Sequence, residues 1–237
     1  MVERKHPILK LSGELFSEGD VNISFPRYDE VSKQILRIRE KTGIAMAIVV
    51  GAGNIMRGRD ADKNVDPNEA DSMGMLATIM NGVALRDALV RNGADDTRLM
   101  SAVDVPGLAE PYRRMVAKHH LKKGQIIIIG GGLGRPGFST DSAVAQYARE
   151  LDSKIIFKAS TVDGVYDSDP KKDKSAKRYE VLTYQEALLQ QLGVMDNTAF
   201  AMCMNTNIPI FVFDIKDLDR LPDAIKGDHS FGTLVHK

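Results

Sequence analysis

Apolar residues along this chain follow two alternating patterns, and the alternation predicts strands separated by helices. Short continuous apolar runs bounded by glycine or polar residues are typical of strands buried on both faces of a sheet. Such strands are predicted over residues 8–11, 46–50, 98–100, 125–129, 155–158 and 210–213.

Between most of these runs the apolar residues recur every three or four positions, which indicates amphipathic helices. Val31, Ile35 and Ile38, for example, share one face of a predicted helix. Asp66 and Pro67 have the pattern of an N-cap followed by proline at the first helical position. Helices are predicted over 26–42, from 66 to about 92, over 141–151, after the capping box at 183–186, and from the cap at 196 to about 207.

The order of strands and helices predicts an α/β fold, with a mainly parallel sheet covered by helices on both faces. The chain has 237 residues without an internal repeat or an obvious linker, so we expect one domain over residues 1–237. In such three-layer sheets, ligands bind beyond the carboxyl ends of the strands. The loops that follow the predicted strands are therefore the first place to look for function.

Composition adds limits to this picture. Lysine plus arginine and aspartate plus glutamate both count 32, so the formal net charge is zero and no overall basic field would attract nucleic acid or anionic lipid. Any anion site must therefore be local. The single cysteine, Cys203, excludes an internal disulfide and fits a reducing compartment. We find no secretory segment and no apolar run of membrane-spanning length, so a cytoplasmic protein is expected.

The first loop (residues 10–14) follows the first predicted strand and contains Lys10, Ser12 and Gly13. A lysine on a buried strand is costly unless it meets an anion or a carboxylate. The first loop therefore suggests an anion site, and the alternative is an edge-strand lysine that points into water.

The second loop (residues 51–58) follows the second predicted strand with the sequence GAGNIMRG. Its small residues would let backbone N–H groups approach a phosphate, and Arg57 could then clamp that phosphate. The alternative is a plain strand-to-helix turn. Met56 stands where a dinucleotide-binding fingerprint has its third glycine, so a dinucleotide site is not indicated.

The third loop (residues 130–141) has five glycines within 130–137, directly after a run of four isoleucines. Because ordered glycine is entropically costly, we expect this backbone to press against a ligand. The alternative is a surface lid without a ligand. Asp141 at its end either caps the following helix or faces the site.

The fourth loop (residues 158–170) begins with Lys158 at the end of a buried strand and closes on Asp-x-Asp-Pro. Lys158 would face a phosphate, and Tyr166 offers a surface for a base. The segment could also be a simple hairpin. Asp167 and Asp169 are either a metal pair or turn-forming residues before Pro170, and we favour the turn.

Together the four loops resemble those of the amino acid kinase family, and within it the bacterial UMP kinases. The resemblance extends over nearly the whole chain, from residue 8 to residue 234. Its most specific stretch is DSMGMLATIMNG at 71–82, which is similar to UMP kinases rather than to aspartate or glutamate kinases. The segments 138–143, 162–166 and 194–196 are also diagnostic.

This resemblance implies transfer of the ATP γ-phosphoryl group to UMP, with Mg²⁺ carried by ATP and no metal ligand from the protein. It also implies a homohexamer, and possible effects of GTP and UTP as activator and inhibitor. Two alternatives remain: a family member that phosphorylates a carboxylate or carbamate, and a nucleotide-binding protein without turnover.

The resemblance also implies roles for individual residues. Lys10 and Lys158 would stabilise the transferring group, Asp196 would orient the lysines, and Asp141 would lie near the reaction centre. The implied ATP site comprises Lys10, Leu11, Ser12, Gly13, Gly53, Arg57, Ser160, Tyr166 and Asp169. The implied UMP site comprises Ala52, Arg57, Asp71, Leu133, Gly134, Arg135, Pro136, Gly137, Phe138, Ser139 and Thr140.

Three residues depart from the family pattern around the acceptor. Ala52 stands where most relatives have glycine, Arg135 where many have asparagine, and Gly137 where they have an aromatic residue. Arg135 would either add a phosphate contact or point into solvent. These departures leave the phosphate chemistry intact and bear on the choice of base and the mobility of the third loop.

Overall fold

In the computed structural model, which describes residues 6–56, 64–170 and 172–237, strands and helices alternate along the chain. The strands are β1 (Ile8–Leu11), β2 (Ala47–Val50), β3 (Arg98–Ser101), β4 (Glu110–Pro111), β5 (Ile127–Gly130), β6 (Ile156–Ser160), β7 (Val181–Thr183), β8 (Ile210–Asp214) and β9 (Gly232–His236). The helices are α1 (Phe25–Thr42), α2 (Pro67–Arg91), α3 (Arg114–Lys122), α4 (Thr140–Glu150), α5 (Tyr184–Leu189), α6 (Asn197–Thr206) and α7 (Leu221–Ile225).

The strands of the described residues form one sheet with the order β4-β3-β5-β2-β1-β6-β8-β9-β7. All neighbouring pairs are parallel except β8 and β9, which run antiparallel. The predicted mainly parallel sheet is therefore confirmed. Sequence patterns missed β4, β7 and β9, because the first two are only two and three residues long and β9 follows a polar turn.

Alternate residues of the central strands supply two separate cores, one on each face of the sheet. Ile8 packs into a core with α3, α4 and α6, whereas Leu9 and Leu11 pack into a second core with α1, α2 and α7. This follows from the twofold repeat of a strand, in which successive side chains point to opposite faces. The helices therefore form an outer layer on each side of the sheet, as predicted.

Local capping signals fix several helix ends. The Asp66 side chain accepts a hydrogen bond from the N–H of Asn68 at 2.8 Å and begins α2, and Thr183 and Glu186 form the predicted capping box of α5. Gly43, with a φ of 63°, ends α1. The helix α3 was not predicted, because it is only nine residues long and buries only two side chains, Ala117 and Leu121.

Helix α2 is long and apolar enough, by length and composition alone, to cross a membrane, which sequence inspection did not anticipate. Its contacts with α1, β3 and β5 give another reason for its apolar composition. A helix packed between a sheet and another helix needs apolar residues over much of its surface. We therefore interpret α2 as a core helix of the fold.

Candidate active site

A cleft of about 480 Å³ opens at the carboxyl ends of β1, β2 and β5, where the topology places ligand sites. Three of the four loops contribute to its walls, together with α2. The lining residues from the implied site are Lys10, Ser12, Gly13, Ala52, Gly53, Asp71, Phe138, Ser139, Thr140 and Asp141. The structure thus brings together residues that are up to 131 positions apart in the chain, Lys10 and Asp141.

Lys10 lines this cleft, and Lys158 lies beside Lys10 and against Asp141, behind the lining. β1 and β6 are parallel neighbours, and their register pairs Lys10 directly with Lys158. Neighbouring strands are about 4.8 Å apart, and paired residues point to the same face, so the two lysines emerge close together. Two like charges at this spacing repel each other, and the arrangement requires an anion nearby.

Asp141 on α4 supplies that anion. The Lys158 Nζ donates a hydrogen bond to Asp141 Oδ2 at 2.8 Å, and the Lys10 Nζ lies 3.2 Å from Asp141 Oδ1. The Lys158 Nζ also donates to the carbonyl of Val194 at 2.7 Å. The side chains of Lys10 and Asp141 are only 13% and 16% exposed, so Lys10 is not an edge lysine pointing into water.

Burial and the neighbouring charges shift the ionisation of this cluster. Burial alone would raise the pKa of Asp141, but the charges of Lys10 and Lys158 outweigh it and lower the pKa to about 2. Burial lowers the pKa of Lys158, Asp141 opposes this shift, and Lys10 adds to it. Asp141 is therefore an anion throughout the neutral range and cannot store a proton there.

Helix α4 begins in a way that frees Asp141 for the lysines. Ser139 is its N-cap, and the Ser139 Oγ accepts hydrogen bonds from the N–H groups of Asp141 at 2.9 Å and Ser142 at 3.3 Å. The helix therefore begins one residue earlier than predicted, at Thr140. Of the two roles left open for Asp141, facing the site is the one that the structure has.

Asp196 is held by partners other than those the resemblance implied. Its carboxylate caps α6 by accepting the N–H of Ala199 at 2.9 Å, and it accepts hydrogen bonds from the hydroxyls of Ser139 and Ser142. Asp196 thus ties the first turn of α4 to the first turn of α6. Burial lowers the pKa of Lys158, and the charge of Asp196 is a minor influence that opposes this shift.

The first and second loops interlock through their backbones. A side-chain carbon on Gly13 would lie 2.5 Å from the Gly53 nitrogen and 2.6 Å from Asn54 Oδ1, so only glycine fits there. The carbonyl of Leu11 accepts the N–H of Gly51 at 2.8 Å. The Leu11 side chain itself is fully buried in the α1/α2 core, so Leu11 contributes only backbone at this point.

Packing explains part of the glycine content of the third loop. Gly131 and Gly134 have φ angles of 80° and 71°, and a side-chain carbon on either would lie within 3 Å of residues 101–103. These two glycines are needed by the fold itself, contrary to the expectation that a ligand accounts for them. Gly137 differs: its φ is 83° with open space around it, and its N–H donates to Asp71 Oδ2 at 2.7 Å.

The fourth loop lies outside the cleft lining. Among the described residues that line the cleft, none belongs to residues 158–170. Tyr166 forms an antiparallel bridge with Arg178, so the alternative of a hairpin applies to this segment. The Tyr166 hydroxyl donates to Asp163 at 2.6 Å, Asp169 lies 3.9 Å from the Lys172 amine, and Ser160 ends β6 beside Asp214.

The remaining residues of the implied site take varied positions. Leu133 packs against the core beneath α4, whereas Arg135 and Pro136 are exposed. Arg57, predicted to clamp a phosphate, lies outside the described residues. Within residues 6–56, 64–170 and 172–237, no three His, Cys, Asp or Glu side chains converge as a metal site.

Sequence reasoning missed the polar residues of α2 that hold the loops. The Thr78 Oγ1 accepts the N–H of Gly131 at 2.7 Å, and Asn81 contacts both Gly51 and Asn54. Both side chains are almost completely buried. The available signal was a polar residue on the apolar face of a long helix, which is costly unless it is hydrogen-bonded.

Comparisons with known proteins agree with this geometry. The model of the amino acid kinase family matches residues 5–214. The UMP kinase of Bacillus anthracis superposes with a TM-score of 0.92 at 38% identity, over 98% of this chain and 96% of that one. The UMP kinase of Ureaplasma parvum superposes with a TM-score of 0.91 at 37% identity, over the full length of both chains.

A more distant structure, the uridylate kinase of Archaeoglobus fulgidus, has a TM-score of 0.72 at 24% identity, over 97% of this chain and 99% of that one. At this identity the likeness concerns the fold alone. The family resemblance and the fold class inferred from the sequence are both confirmed by these comparisons.

The ionisation of Asp141 predicts how stability depends on pH. The folded-state pKa of about 2 lies below the ordinary value of 3.8. The ionised carboxylate therefore stabilises the fold above the ordinary value, and this contribution, roughly 2 kcal/mol, is lost as the pH falls through the folded value. We expect urea unfolding of Asp141→Asn to have a flatter dependence between about pH 5 and about pH 2 than the wild type.

Asp95→Asn, which removes an exposed carboxylate, is the control and should keep the wild-type dependence. An unchanged slope in Asp141→Asn would contradict the stabilising role of this carboxylate.

Proposed function

We propose that this chain, which belongs to the amino acid kinase family, transfers the γ-phosphoryl group of ATP to UMP in pyrimidine nucleotide biosynthesis. The bond between the γ-phosphorus and the ADP oxygen breaks, and a UMP phosphate oxygen forms the new bond, giving UDP and ADP. The observation that carries the proposal is the cluster of Lys10, Lys158 and Asp141, of which Lys10 and Asp141 line a cleft walled by glycine-rich loops. The likeness to two UMP kinases over nearly their whole length supports UMP as the acceptor.

The cluster suits phosphoryl transfer because it is cationic overall. Two lysines beside one aspartate leave a net positive charge, directed at the carboxyl ends of β1 and β6. Phosphoryl transfer depends on alignment and on stabilising charge at the equatorial oxygens. The N-terminus of α4 begins at the same cleft and adds the positive end of a helix dipole.

The low pKa of Asp141 supports a role without proton abstraction. At neutral pH its carboxylate is already ionised and paired with both lysines. The acceptor phosphate is itself ionised, so the reaction needs no strong general base. We therefore propose that Asp141 and Asp196 position the lysines and the helix termini electrostatically.

The nucleotide sites follow from the positions of the loops. We propose that the first loop and Gly53 hold the ATP phosphates, with Ser160, Tyr166 and Asp169 beside the remainder of ATP. Asp71 and the third loop from Leu133 to Thr140 would hold UMP. Asp71 lines the cleft and one of its carboxylate oxygens accepts the Gly137 N–H, which supports its proposed role at the ribose beside that loop.

Mg²⁺ would enter as its complex with ATP, and it would offset phosphate charge there. The carboxylate nearest the reaction centre, Asp141, is already engaged by two lysines. Because Asp141 is engaged in this way, we propose that phosphate oxygens and water hold the Mg²⁺ ion and that no protein side chain coordinates it.

A panel of acceptors tests the function directly. Purified protein with ATP and Mg²⁺ should convert UMP, in a coupled assay of ADP formation, faster than CMP, AMP or GMP. The same assay with aspartate, glutamate and carbamate tests the alternative acceptors. Absence of UMP turnover would refute the proposal, and nucleotide binding without any product would favour a protein without turnover. Repeating the panel with GTP and with UTP tests both expected effectors.

Lys158→Ala should reduce kcat by about 10²–10³, because charge-stabilising groups typically contribute that much. Lys154→Ala is the matched control, since Lys154 is an exposed lysine just before the opposite end of β6. It should retain wild-type turnover. Turnover of Lys158→Ala close to the wild type would exclude Lys158 from the transfer step.

We further propose that the chain acts as a single cytoplasmic domain within a homohexamer. One sheet includes strands from residue 8 to residue 236, which supports a single domain. An exposed apolar surface on α2 supports self-association, since Met73, Leu76 and Met80 are each about half exposed.

Sedimentation tests this assembly. The wild type should sediment as a hexamer, and Leu76→Glu should dissociate it because a charge would be buried at the contact. Leu189→Glu, which changes an exposed leucine on α5, should leave the sedimentation unchanged. A monomeric wild type at assay concentrations would contradict the proposal.

A further inference from the structure

Helix α2 carries a completely buried amide, that of Asn81, which lies behind the cleft lining. We infer that Asn81 is a positioning residue, which sets the backbone of residues 51–54, at the start of the second loop, for phosphate binding. The inference rests on the proposed function, because the second loop is assigned to phosphate there. Asn81 is completely buried, so any effect on turnover must pass through its protein partners.

The hydrogen bonds of Asn81 run mainly to the second loop. Its Nδ2 donates to the Gly51 carbonyl at 2.7 Å and to Asn54 Oδ1 at 2.8 Å. Its Oδ1 accepts from the Tyr28 hydroxyl at 2.6 Å and from Asn54 Nδ2 at 3.2 Å. A carbonyl can only accept, so the bond to Gly51 fixes which way the Asn81 amide is oriented.

The bond to Gly51 controls the peptide group that faces the cleft. A trans peptide is planar, and its C=O and N–H point in opposite directions. Holding the Gly51 carbonyl on Asn81 therefore directs the Ala52 N–H away from α2, and Ala52 lines the cleft. Backbone N–H groups of such a loop are suitable donors for phosphate oxygens.

Asn54 extends the same control to the first loop. Its Nδ2 also donates to the carbonyl of Asn22 at 2.8 Å, and its Oδ1 lies where a side chain on Gly13 would clash. The amide pair of Asn81 and Asn54 therefore separates the two phosphate loops by a fixed distance. A small shift of either amide would change both loops at once.

Tyr28 provides a comparison within the same network. Its ring stacks on Phe16 with ring centres 4.3 Å apart, and its hydroxyl donates a hydrogen bond to Asn81 Oδ1. Tyr28→Phe therefore removes one buried hydrogen bond and leaves the bonds from Asn81 to Gly51 and Asn54 in place. If the network had only a structural role, Tyr28→Phe and Asn81→Asp would each lose activity in the same proportion to their loss of stability.

Asn81→Asp is the test variant, because it keeps the shape of the side chain and replaces the donor to Gly51 by an oxygen. We expect kcat/KM for UMP to fall at least about tenfold, mostly through kcat, since a misplaced donor costs binding of the transition state. Tyr28→Phe, which also loses a buried hydrogen bond of this network, should keep kcat/KM within about twofold of the wild type. Equal losses of activity in the two variants, or wild-type kcat/KM in Asn81→Asp, would overturn the inference.

Asn54→Ala keeps the experiment decisive if Asn81→Asp does not fold. It removes one partner of Asn81 and leaves the bond to Gly51, so kcat/KM should fall below that of Tyr28→Phe. Activity equal to that of Tyr28→Phe would overturn the inference by this second route.

Wild-type turnover separates this inference from the proposed function. If the wild type phosphorylates UMP and the variants match it, only the positioning role is wrong. If the wild type does not turn over UMP, the proposed function is wrong, and ATP affinity from calorimetry then decides the role of Asn81. Weaker ATP binding in Asn81→Asp than in Tyr28→Phe supports that role, and equal binding refutes it.

Discussion

The contact of one buried carboxylate with two lysines on neighbouring strands is the constraint on which the rest of this site depends. The parallel register of β1 and β6 places Lys10 beside Lys158, and the carboxylate of Asp141 offsets the repulsion between the two positive charges. Removing one partner from a buried cluster leaves an uncompensated charge, so all three residues must be ordered together. The cations are thereby fixed before a nucleotide arrives, which is the preorganisation that electrostatic catalysis requires.

This constraint also determines where the surrounding elements must lie. Asp141 reaches the lysines only if α4 begins at the carboxyl edge of the sheet, and the Ser139 cap sets that beginning. Asp196 then ties α6 to the same edge through Ser139. On the opposite side of the cleft, Thr78 and Asn81 of α2 hold the third and second loops. The loops are thus held from two layers of helices, and the sheet alone does not determine their shape.

Much of the fold could be predicted because its signals are local. Buried parallel strands are apolar throughout, and helix ends are marked by capping residues such as Asp66 and Thr183. The pairing of Lys10 with Lys158 could not be derived in the same way, since register depends on packing between strands about 150 residues apart. The serine partners of Asp196 were missed for the same reason. The glycines at 131 and 134 were misinterpreted because their neighbours at 101–103 are distant in sequence.

The residues of the proposed site divide into a buried group and an exposed group, and we propose different tasks for the two groups. The two lysines lie on strands and Asp141 lies on a helix. Packing of these elements holds the three side chains in fixed positions. Arg135 and Gly137, which depart from the family pattern, lie in the exposed stretch of the third loop. Loops tolerate substitution better than the elements they connect. The residues proposed for phosphoryl transfer are therefore the ones that the fold fixes most firmly, whereas the residues proposed for the acceptor include the ones that are freest to vary.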